Sequence, residues 1–295
     1  MKKVLFYIRV IGIIILIYIL STLQYEKLFT ILKSIDIWYL SAYILFYIIF
    51  VLLKTARFRH ILIHYGSRPP FLDVFGSVIE SQYLGFVTPS RIGDSVKILF
   101  LEEKSGVPKK IGTITYIYDR FQDLYMLAFL GVISFVFILN LPVNLYLAIF
   151  ALFVALVFMF RNKILMKISG KIKLEDLKKL DFKTDFELFI LNIVTYFVYF
   201  LQYYFLALSL NIEINFFYLS AVSIIGALAA VIPISISGIG VREGIFIYYL
   251  TKAGVTKESA FLLSFLDNTG FTIIFIVALH IVYKILDSKV RTSSA

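Results

Sequence analysis

One polar stretch interrupts a long apolar region near the C-terminus and limits how this chain can fold. The eleven residues that begin at Pro233 read Pro-Ile-Ser-Ile-Ser-Gly-Ile-Gly-Val-Arg-Glu, with apolar segments on both sides. Proline removes a helical donor and clashes with the preceding turn, and the two glycines, Gly238 and Gly240, loosen the backbone further. Arg242 and Glu243 then place opposite charges side by side. We therefore do not expect a continuous apolar helix through this stretch.

The composition places this stretch inside a membrane protein. Of the 295 residues, 60% are hydrophobic and 16% are charged, and the mean hydropathy is +0.91. A soluble domain is about 45–50% apolar and about 25% charged, so we predict an all-α integral membrane protein. Broken, charged backbone at membrane depth is tolerated only where it is buried in protein or lines a wet cavity.

Charge and residue usage exclude several kinds of site. The chain has 29 Lys and Arg against 19 Asp and Glu, a formal charge of +10. The positive-inside rule and contact with anionic lipid explain this excess without a nucleic-acid partner. There are no Cys and three His residues, so no disulfide, thiolate chemistry or all-protein zinc site is predicted. We expect no metal and no cofactor.

A second, weaker break lies earlier in the chain. It reads Pro-Ser-Arg-Ile-Gly-Asp at residues 89–94, and basic residues flank the apolar unit around it, with Arg68 before and Lys104 after. Both ends are therefore predicted to be cytoplasmic, which favours a re-entrant helical hairpin. A conventional pair of short spans is the alternative. We predict that the two breaks face each other and form a polar headgroup site.

The remaining apolar segments predict about six transmembrane helices besides two re-entrant hairpins, in a single membrane domain of residues 1–295. The spans cover residues 10–25, 38–53, 111–139, 145–160, 188–210 and 259–283. Lys54, Arg57 and Arg59 follow the second span and are assigned to a cytoplasmic loop. Residues 161–187 contain eight Lys or Arg and form the main cytoplasmic loop, predicted as an amphipathic surface helix. Because few basic residues then lie outside, both termini are predicted to be cytoplasmic, at the cell (plasma) membrane.

The two breaks belong to an internal repeat with units at about 71–139 and 216–283. Each unit has a Pro/Gly break, an acid, a short apolar helix, a Gly-Val turn with Lys, and a span with Asp half-way. The matched acids are Asp94 with Glu243 and Asp119 with Asp267. The predicted topology puts the units on opposite sides, so the repeat is inverted, as in many transporters whose interrupted segments mark the substrate site. Chance similarity between apolar segments is the alternative.

Inserting a charged side chain at the bilayer centre costs about 2.5–3.5 kcal/mol of free energy, and these units contain several such side chains. We therefore predict that they pair around a solvated cavity that binds a lipid headgroup. The candidate site residues are Arg91, Asp94, Asp119, Arg120, Asp123, Arg242, Glu243 and Asp267, and the structural breaks are Pro89, Gly93, Pro233, Gly238 and Gly240. The arginines are the anion contacts, because a guanidinium fork matches phosphate, and the acids hold them or titrate. Purely structural ion pairing is the alternative.

Signals of catalysis are few. The chain has no Gly-x-Ser-x-Gly, His-Glu-x-x-His or P-loop motif, whose spacings carry specific chemistry. Asp119 and Asp123 share a helix face at i and i+4, where two carboxylates can hold a divalent metal. Arg120 beside them and the lack of a further carboxylate cluster argue against this. We assign no catalytic residue and expect a non-enzyme, with the question of catalysis left open.

Three motifs, taken together in order and spacing, resemble the transmembrane region of the lysylphosphatidylglycerol synthases, also called the flippase-like domain family. They are Pro-Ser-Arg-Ile-Gly-Asp at 89–94, Asp-Arg-Phe-Gln-Asp at 119–123 and Ser-Gly-Ile-Gly-Val-Arg-Glu at 237–243. The resemblance covers roughly residues 5–285. Asp94 and Asp119 stand where the family more often has Glu, and Ser237 replaces a frequent Gly.

The resemblance implies a flippase-like region that moves a lipid across the bilayer. In the full-length synthases a separate soluble domain makes the aminoacylated lipid. This chain ends at Ala295, a dozen residues past its last predicted span, so we expect no aminoacyl transfer. The favoured function is a lipid transporter that binds a phosphate-bearing headgroup, on an anionic phospholipid or a polyprenyl-phosphate-linked lipid. The alternatives are a membrane enzyme or an accessory subunit acting on polyprenyl-phosphate-linked sugars, and a homo-oligomer is left open.

Overall fold

The computed structural model describes residues 2–88, 93–138, 182–231, 235 and 238–293. Pro89, Arg91 and Pro233 lie outside these ranges, as do the predicted span at 145–160 and most of the basic loop at 161–187. The described helices are α1 (Lys2–Ser21), α2 (Tyr25–Lys33), α3 (Ile37–His64), α4 (Phe71–Val87), α5 (Val96–Ser105), α6 (Lys109–Ile138), α7 (Phe182–Ser209), α8 (Phe216–Val231), α9 (Val241–Lys252), α10 (Lys257–Phe265), a π-helix (Leu266–Gly270) and α11 (Phe271–Ser293).

Four helical runs among these residues are long and apolar enough to cross a membrane: α3, α6, α7 and the run from α10 through α11. The apolar part of α1 and helix α2 form a fifth candidate, bent by 87°. The prediction of an all-α membrane protein is confirmed, because these runs exceed the roughly 20 residues that a bilayer core requires.

Helix α3 continues past Leu53, where the second span was predicted to end, through the residues assigned to a loop. Helix α3 begins at Ile37, where the Asp36 carboxylate accepts hydrogen bonds from two backbone N–H groups, and it runs for 28 residues. At about 1.5 Å per residue it is roughly 42 Å long, well over the roughly 30 Å core of a bilayer. Lys54 and Arg57 therefore lie within a helix rather than in a loop, and Arg57 is 0% exposed.

Helices α4 and α5 form a hairpin around the first break (hairpin 1). The two helices pack against each other, and two glycines allow the close approach beside the break. A methyl group at Gly93 would overlap the carbonyl oxygen of Leu84, and one at Gly85 would overlap the Asp94 carboxylate. Helix α5 has ten residues, about 15 Å, which is too short to cross a core of roughly 30 Å. The structure thus has the helical hairpin that the sequence predicts, while its re-entrant placement in the bilayer stays a prediction.

Helices α8 and α9 form the second hairpin (hairpin 2). Gly238 and Gly240 have φ values of 83° and 84°, which favour glycine, and a methyl group at Gly238 would lie 2.6 Å from the Cβ of Ala230. The Glu243 carboxylate accepts a hydrogen bond of 2.5 Å from the Gly240 N–H, which closes the first turn of α9. Helix α9 has 12 residues, about 18 Å, so it too is shorter than a full crossing.

The two hairpins lead into the next helix in the same way. Gly106 ends α5 with φ 64° and Gly254 follows α9 with φ 86°, and α6 or α10 begins within a few residues. Asp119 and Asp267 then lie within the helical runs that follow. The matching order of elements agrees with the predicted repeat, while inversion across the membrane stays a prediction.

Helix α7 connects the two units because it packs along α3 and also contacts α6 and α8. Aromatic pairs join it to α3, with Phe46 and Phe205 stacked at 5.1 Å and Phe50 and Tyr199 tilted at 5.8 Å between ring centroids. One face of α7 can therefore contribute side chains to the charged groups of both units.

Candidate functional site

The first charged group surrounds Arg57 and is called the Arg57 cluster. Its members are Lys54 and Arg57 on α3, Asp94 at the first break, Lys97 on α5, and Asp119, Arg120 and Asp123 on α6. The Arg57 Nη2 lies 2.7 Å from Asp119 Oδ1 and 2.6 Å from Asp123 Oδ1, and its Nη1 donates to the side-chain oxygen of Asn192 on α7. The guanidinium thus holds α3, α6 and α7 together.

Arg120 connects α6 to hairpin 1. Its Nη1 lies 2.9 Å from Asp94 Oδ2, and its Nη2 lies 3.5 Å from Asp119 Oδ2 and 3.7 Å from Asp123 Oδ2. The Arg120 side chain is 27% exposed, whereas that of Asp94 is 4% exposed. Arg120 is therefore the arginine of this cluster that is open to exchange its protein carboxylate for a ligand.

Two lysines add positive charge beside these pairs. The Lys97 Nζ lies 3.4 Å from Asp119 Oδ2 and 4.4 Å from the centroid of the Phe58 ring, and the residue is 3% exposed. The Lys54 Nζ lies 3.8 Å from Asp123 Oδ2. Four cations and three carboxylates give the Arg57 cluster a formal charge of +1.

A small cavity adjoins the cluster. It is lined by Lys54, Val78, Ser81, Gln82, Asp94, Lys97, Asp119 and Arg120. Its volume of about 10 Å³ is near the lower limit for one water molecule. A headgroup could not fit here unless hairpin 1 and α6 moved apart.

The second charged group is called the Arg242 cluster. It comprises Tyr43, Tyr199, Gln202, Tyr203, Arg242, Glu243, Asp267 and Asn268. The Arg242 Nη1 donates to Asn268 Oδ1 at 2.9 Å and the Nη2 donates to the Tyr199 hydroxyl at 2.8 Å and to the Tyr203 hydroxyl. Its Nη2 is 3.7 Å from Asp267 Oδ2, so neutral groups hold Arg242 more closely than the carboxylate does.

Asp267 lies in the π-helix and receives most of its hydrogen bonds from uncharged donors. Gln202 Nε2 donates to its Oδ1 at 2.6 Å and the Tyr43 hydroxyl donates to the same atom at 3.3 Å. Glu243, 0% exposed, accepts from the Gly240 N–H and from the Ser264 hydroxyl at 3.5 Å. The two carboxylates thus lie in a buried polar site built from hairpin 2, α3, α7 and the π-helix.

The structure divides the candidate residues between these two clusters. Asp94, Asp119, Arg120 and Asp123 belong to the first, and Arg242, Glu243 and Asp267 belong to the second. On α7, Asn192 touches the first cluster and Tyr199 the second, seven residues further on, or about 10 Å along the helix. Tyr196 lies between them and donates to the Asp123 carbonyl oxygen at 3.4 Å. A single cavity shared by both breaks stays a prediction.

Sequence analysis missed several members of the clusters. Arg57 was assigned to a loop, although Phe58, Ile61 and Leu62 continue an apolar helical face beyond it; that periodicity was the available signal. Lys97 was overlooked because one lysine in a short apolar helix resembles an interfacial residue. Tyr199, Gln202 and Tyr203 carry no signal of their own, because polar tips on an apolar span are ordinary at an interface.

Asp119 and Asp123 do share a face of α6, but cations occupy their carboxylates. Arg57 contacts both of them, and Arg120 and a lysine approach each one. Across the described ranges no group of three or more His, Cys, Asp or Glu residues is arranged to hold a metal ion. The geometry of these two aspartates is therefore that of an ion-pair network.

Comparison with known proteins agrees with this architecture. No curated protein matched the chain. The family described as lysylphosphatidylglycerol synthase TM region matches residues 5–279 of the 295, which includes both hairpins, both clusters and the helices between them. The chain therefore belongs to the lysylphosphatidylglycerol synthase transmembrane-region family.

Proposed function

We propose that this protein binds the phosphate of a lipid headgroup at the Arg57 cluster and moves that lipid between the two leaflets. The observation that carries the proposal is the surplus of one positive charge among the described side chains of this largely buried cluster, beside a cavity. Buried charge is costly when it is unbalanced, and one phosphate charge would balance it. Family membership supports lipid handling in general.

Arg120 is the proposed primary contact. It is the partly exposed arginine of the cluster, and a guanidinium binds phosphate through two parallel hydrogen bonds. Lys97 and Lys54 line the same cavity and supply further positive charge. Asp94 holds Arg120 in the closed arrangement at 2.9 Å, so binding exchanges one anion for another.

This exchange gives a route from binding to movement. The cavity is too small for a headgroup while the Asp94–Arg120 pair is closed. A phosphate that pairs with Arg120 breaks the ion pair between Arg120 and Asp94. The tip of hairpin 1, which carries Asp94, can then separate from α6. In transporters with interrupted helices, alternating access comes largely from rocking or gating of one repeat against the other around the substrate site.

The test uses the purified full chain in proteoliposomes. Transbilayer movement is followed with fluorescent phosphatidylglycerol, fluorescent phosphatidylcholine and a fluorescent polyprenyl phosphate, each against empty vesicles. We expect movement of at least one of these lipids. No movement of any lipid above empty vesicles contradicts the proposal, and a chemically altered headgroup in the recovered lipid indicates the enzyme alternative.

Variants connect the movement to the cluster. Arg120→Gln removes a charge-assisted contact of about 1.5–3 kcal/mol, so we expect a loss of rate of roughly 10- to 100-fold. Lys109→Gln is the matched control on the same helix, because Lys109 is 64% exposed and its pair with Glu102 lies outside the cavity. Arg120→Lys, which keeps the charge and loses the fork, should be intermediate. Equal rates for Arg120→Gln and Lys109→Gln would remove the basis for the site.

A further inference from the structure

The charges of the Arg242 cluster do not balance. Arg242, Glu243 and Asp267 are 8%, 0% and 5% exposed, and one arginine against two carboxylates gives a formal charge of −1. In the described residues no Lys or Arg nitrogen lies within 4.0 Å of the Glu243 carboxylate. A buried charge without a partner is strongly unfavourable, so one more positive charge would stabilise this cluster. The Arg57 cluster, by contrast, has one positive charge in excess.

The side-chain amide oxygen of Gln202 provides a second, independent observation. Gln202 is 3% exposed, and its amide nitrogen donates to Asp267 Oδ1 at 2.6 Å. Its amide oxygen, on the same group beside this carboxylate, is buried and accepts no hydrogen bond from the described residues. A buried acceptor without a partner is destabilising, and it marks a position where a positively charged ligand would be favourable.

The backbone at this point is also unusual. Asp267 lies within the five-residue π-helix Leu266–Gly270, and single π-helical turns are rare and occur frequently at functional sites. Among the described residues the buried Thr269 hydroxyl on the same turn has no hydrogen-bond partner either. The turn therefore places the Asp267 carboxylate and the Thr269 hydroxyl near the Gln202 amide of α7, which contacts Asp267.

We propose that the Arg242 cluster binds one Na⁺ ion, with oxygen ligands from Asp267 and Gln202. Hard cations take oxygen ligands, and interrupted helices of transporters often bind Na⁺ next to the substrate site. A single positive charge balances the cluster, whereas a divalent ion would overbalance it. A proton on one carboxylate would correct the charge but would leave the Gln202 oxygen without a partner.

The ion would join hairpin 2 to the spans around it. Asp267 is on the π-helix, Gln202 is on α7, and Arg242 and Glu243 begin α9. The added charge would bring the formal charge of the cluster to zero and favour hairpin 2 packed against α7, to which Arg242 is already bonded through Tyr199 and Tyr203. Sodium binding does not require the proposed function. Together with the proposed function, it makes lipid movement dependent on Na⁺.

Binding is tested without any lipid substrate. The purified full chain in detergent is unfolded thermally in NaCl and in N-methylglucamine chloride at equal ionic strength and neutral pH, and uptake of radioactive sodium is measured directly. A ligand that binds the native state stabilises it, so we expect saturable sodium binding and a rise in Tm of about 3 °C at ten times the dissociation constant. Equal Tm in both salts together with no bound sodium overturns the proposal.

Variants separate this site from general effects of salt. Asp267→Asn and Gln202→Met should lose sodium binding and the Na⁺-dependent rise in Tm. Glu243→Gln removes the surplus negative charge, so its Tm in N-methylglucamine should equal or exceed that of the natural chain, with a reduced response to Na⁺. Glu213→Gln is the control, since Glu213 is exposed in the connection between α7 and α8 and should respond as the natural chain does.

Each remaining outcome has a defined meaning. A Tm that responds to pH but not to Na⁺, and loses that response in Glu243→Gln, replaces Na⁺ with a proton and overturns the proposal. A Na⁺ response that is equal in all variants also overturns it. Sodium binding without movement of any lipid contradicts the proposed function alone, and Na⁺-independent movement without sodium binding contradicts this inference alone.

Discussion

Arg57 shows how strongly one residue can determine the packing of a membrane protein. Its guanidinium is 0% exposed and contacts Asp119, Asp123 and Asn192, which lie on two other helices. In a bilayer the apolar surfaces of helices have little preference for one another over lipid, so polar contacts and close packing select the neighbours. The position of α3 against α6 and α7 therefore depends on this side chain.

Removal of Arg57 should destabilise the protein strongly. Arg57→Gln leaves the buried Asp119 carboxylate and the partly exposed Asp123 carboxylate with less positive charge, a change that costs about 3–5 kcal/mol. Arg59→Gln is the matched control on the same helix, because Arg59 is partly exposed and donates to the Pro69 carbonyl oxygen at 3.0 Å, a bond of about 1 kcal/mol.

The measurement is the thermal unfolding of both variants in the same detergent. Arg57→Gln should unfold at a clearly lower Tm than Arg59→Gln. Adding Asp119→Asn to Arg57→Gln should restore part of the loss, because it removes one of the two carboxylate charges that Arg57 neutralises. Similar Tm values for the two single variants would mean that the Arg57 pairs contribute little.

At the scale of elements, hairpin 2 depends on close approach to α1. A methyl group at Gly240 would overlap the carbonyl oxygen of Gly12, and one at Gly12 would overlap the Cβ of Ser235. Small residues that allow backbones to approach closely are typical of helix contacts in membranes. Helix α1 is thus a fixed support for the break of hairpin 2.

Two glycines with the same backbone conformation provide a matched test of this contact. Gly240 and Gly254 have φ values of 84° and 86°, but a methyl group at Gly254 would meet nothing within 4 Å. Gly254→Ala should cost about 1–2 kcal/mol, from the left-handed backbone alone. Gly240→Ala adds an overlap with backbone, for a further loss of about 1–3 kcal/mol.

Thermal unfolding again provides the measurement, with transport as a second readout. Gly240→Ala should lower both Tm and the rate of lipid movement more than Gly254→Ala does. If the two variants behaved alike, the approach of α1 to hairpin 2 would have no energetic importance.

At the scale of the whole molecule, the two units have the same order of elements but opposite charge. The Arg57 cluster sums to +1 and the Arg242 cluster to −1 from the side chains described above. Helix α7 contributes Asn192 to the first cluster and Tyr199 to the second, so both clusters are built on one shared helix. The arrangement suits a protein in which an anionic headgroup and a cation are bound together.

Membrane topology can be measured directly because the chain has no Cys. Single cysteines are introduced as Lys110→Cys, Glu213→Cys and Thr88→Cys, and intact cells are treated with an impermeant maleimide. The positive-inside rule predicts that Glu213→Cys is labelled in intact cells and that Lys110→Cys is labelled only after permeabilisation. The inverted repeat and cytoplasmic termini are wrong if both label from the same side.

Thr88→Cys distinguishes a re-entrant hairpin from two crossings. Thr88 follows α4 at the tip of hairpin 1. Because a re-entrant tip stays within the membrane protein, this cysteine should not be labelled in intact cells. Labelling equal to that of Glu213→Cys would indicate that α4 and α5 cross the bilayer.

Much of the fold was predictable, and the reasons are local. Apolar length and the excess of Lys and Arg predicted the membrane class, and Pro and Gly predicted where helices end. Gly93, Gly238 and Gly240 lie where the chain turns, because their lack of a side chain is a property of the residue itself. The candidate acids were found for a similar reason: a charge in an apolar segment is costly wherever the segment lies.

The partners of those acids were less predictable. Arg57 is 62 residues from Asp119, and Gln202 is 65 residues from Asp267. No local pattern relates such pairs, and a tyrosine or glutamine on an apolar span reads the same in sequence whether it faces lipid or a carboxylate. The division of the described charged residues into two clusters is therefore a property of the packed helices, while a single cavity shared by both breaks stays a prediction.

The sequence by itself determined the membrane class, the two helix breaks and the set of side chains that cannot face lipid, since these follow from the free energy of placing each residue in a bilayer. Only the tertiary structure decided which cation neutralises which acid, which of them remain in surplus, and that one cluster is net positive and the other net negative. The physical reason is that ion pairing depends on separations of a few ångströms between residues far apart in the chain, and those separations exist only after the helices have packed.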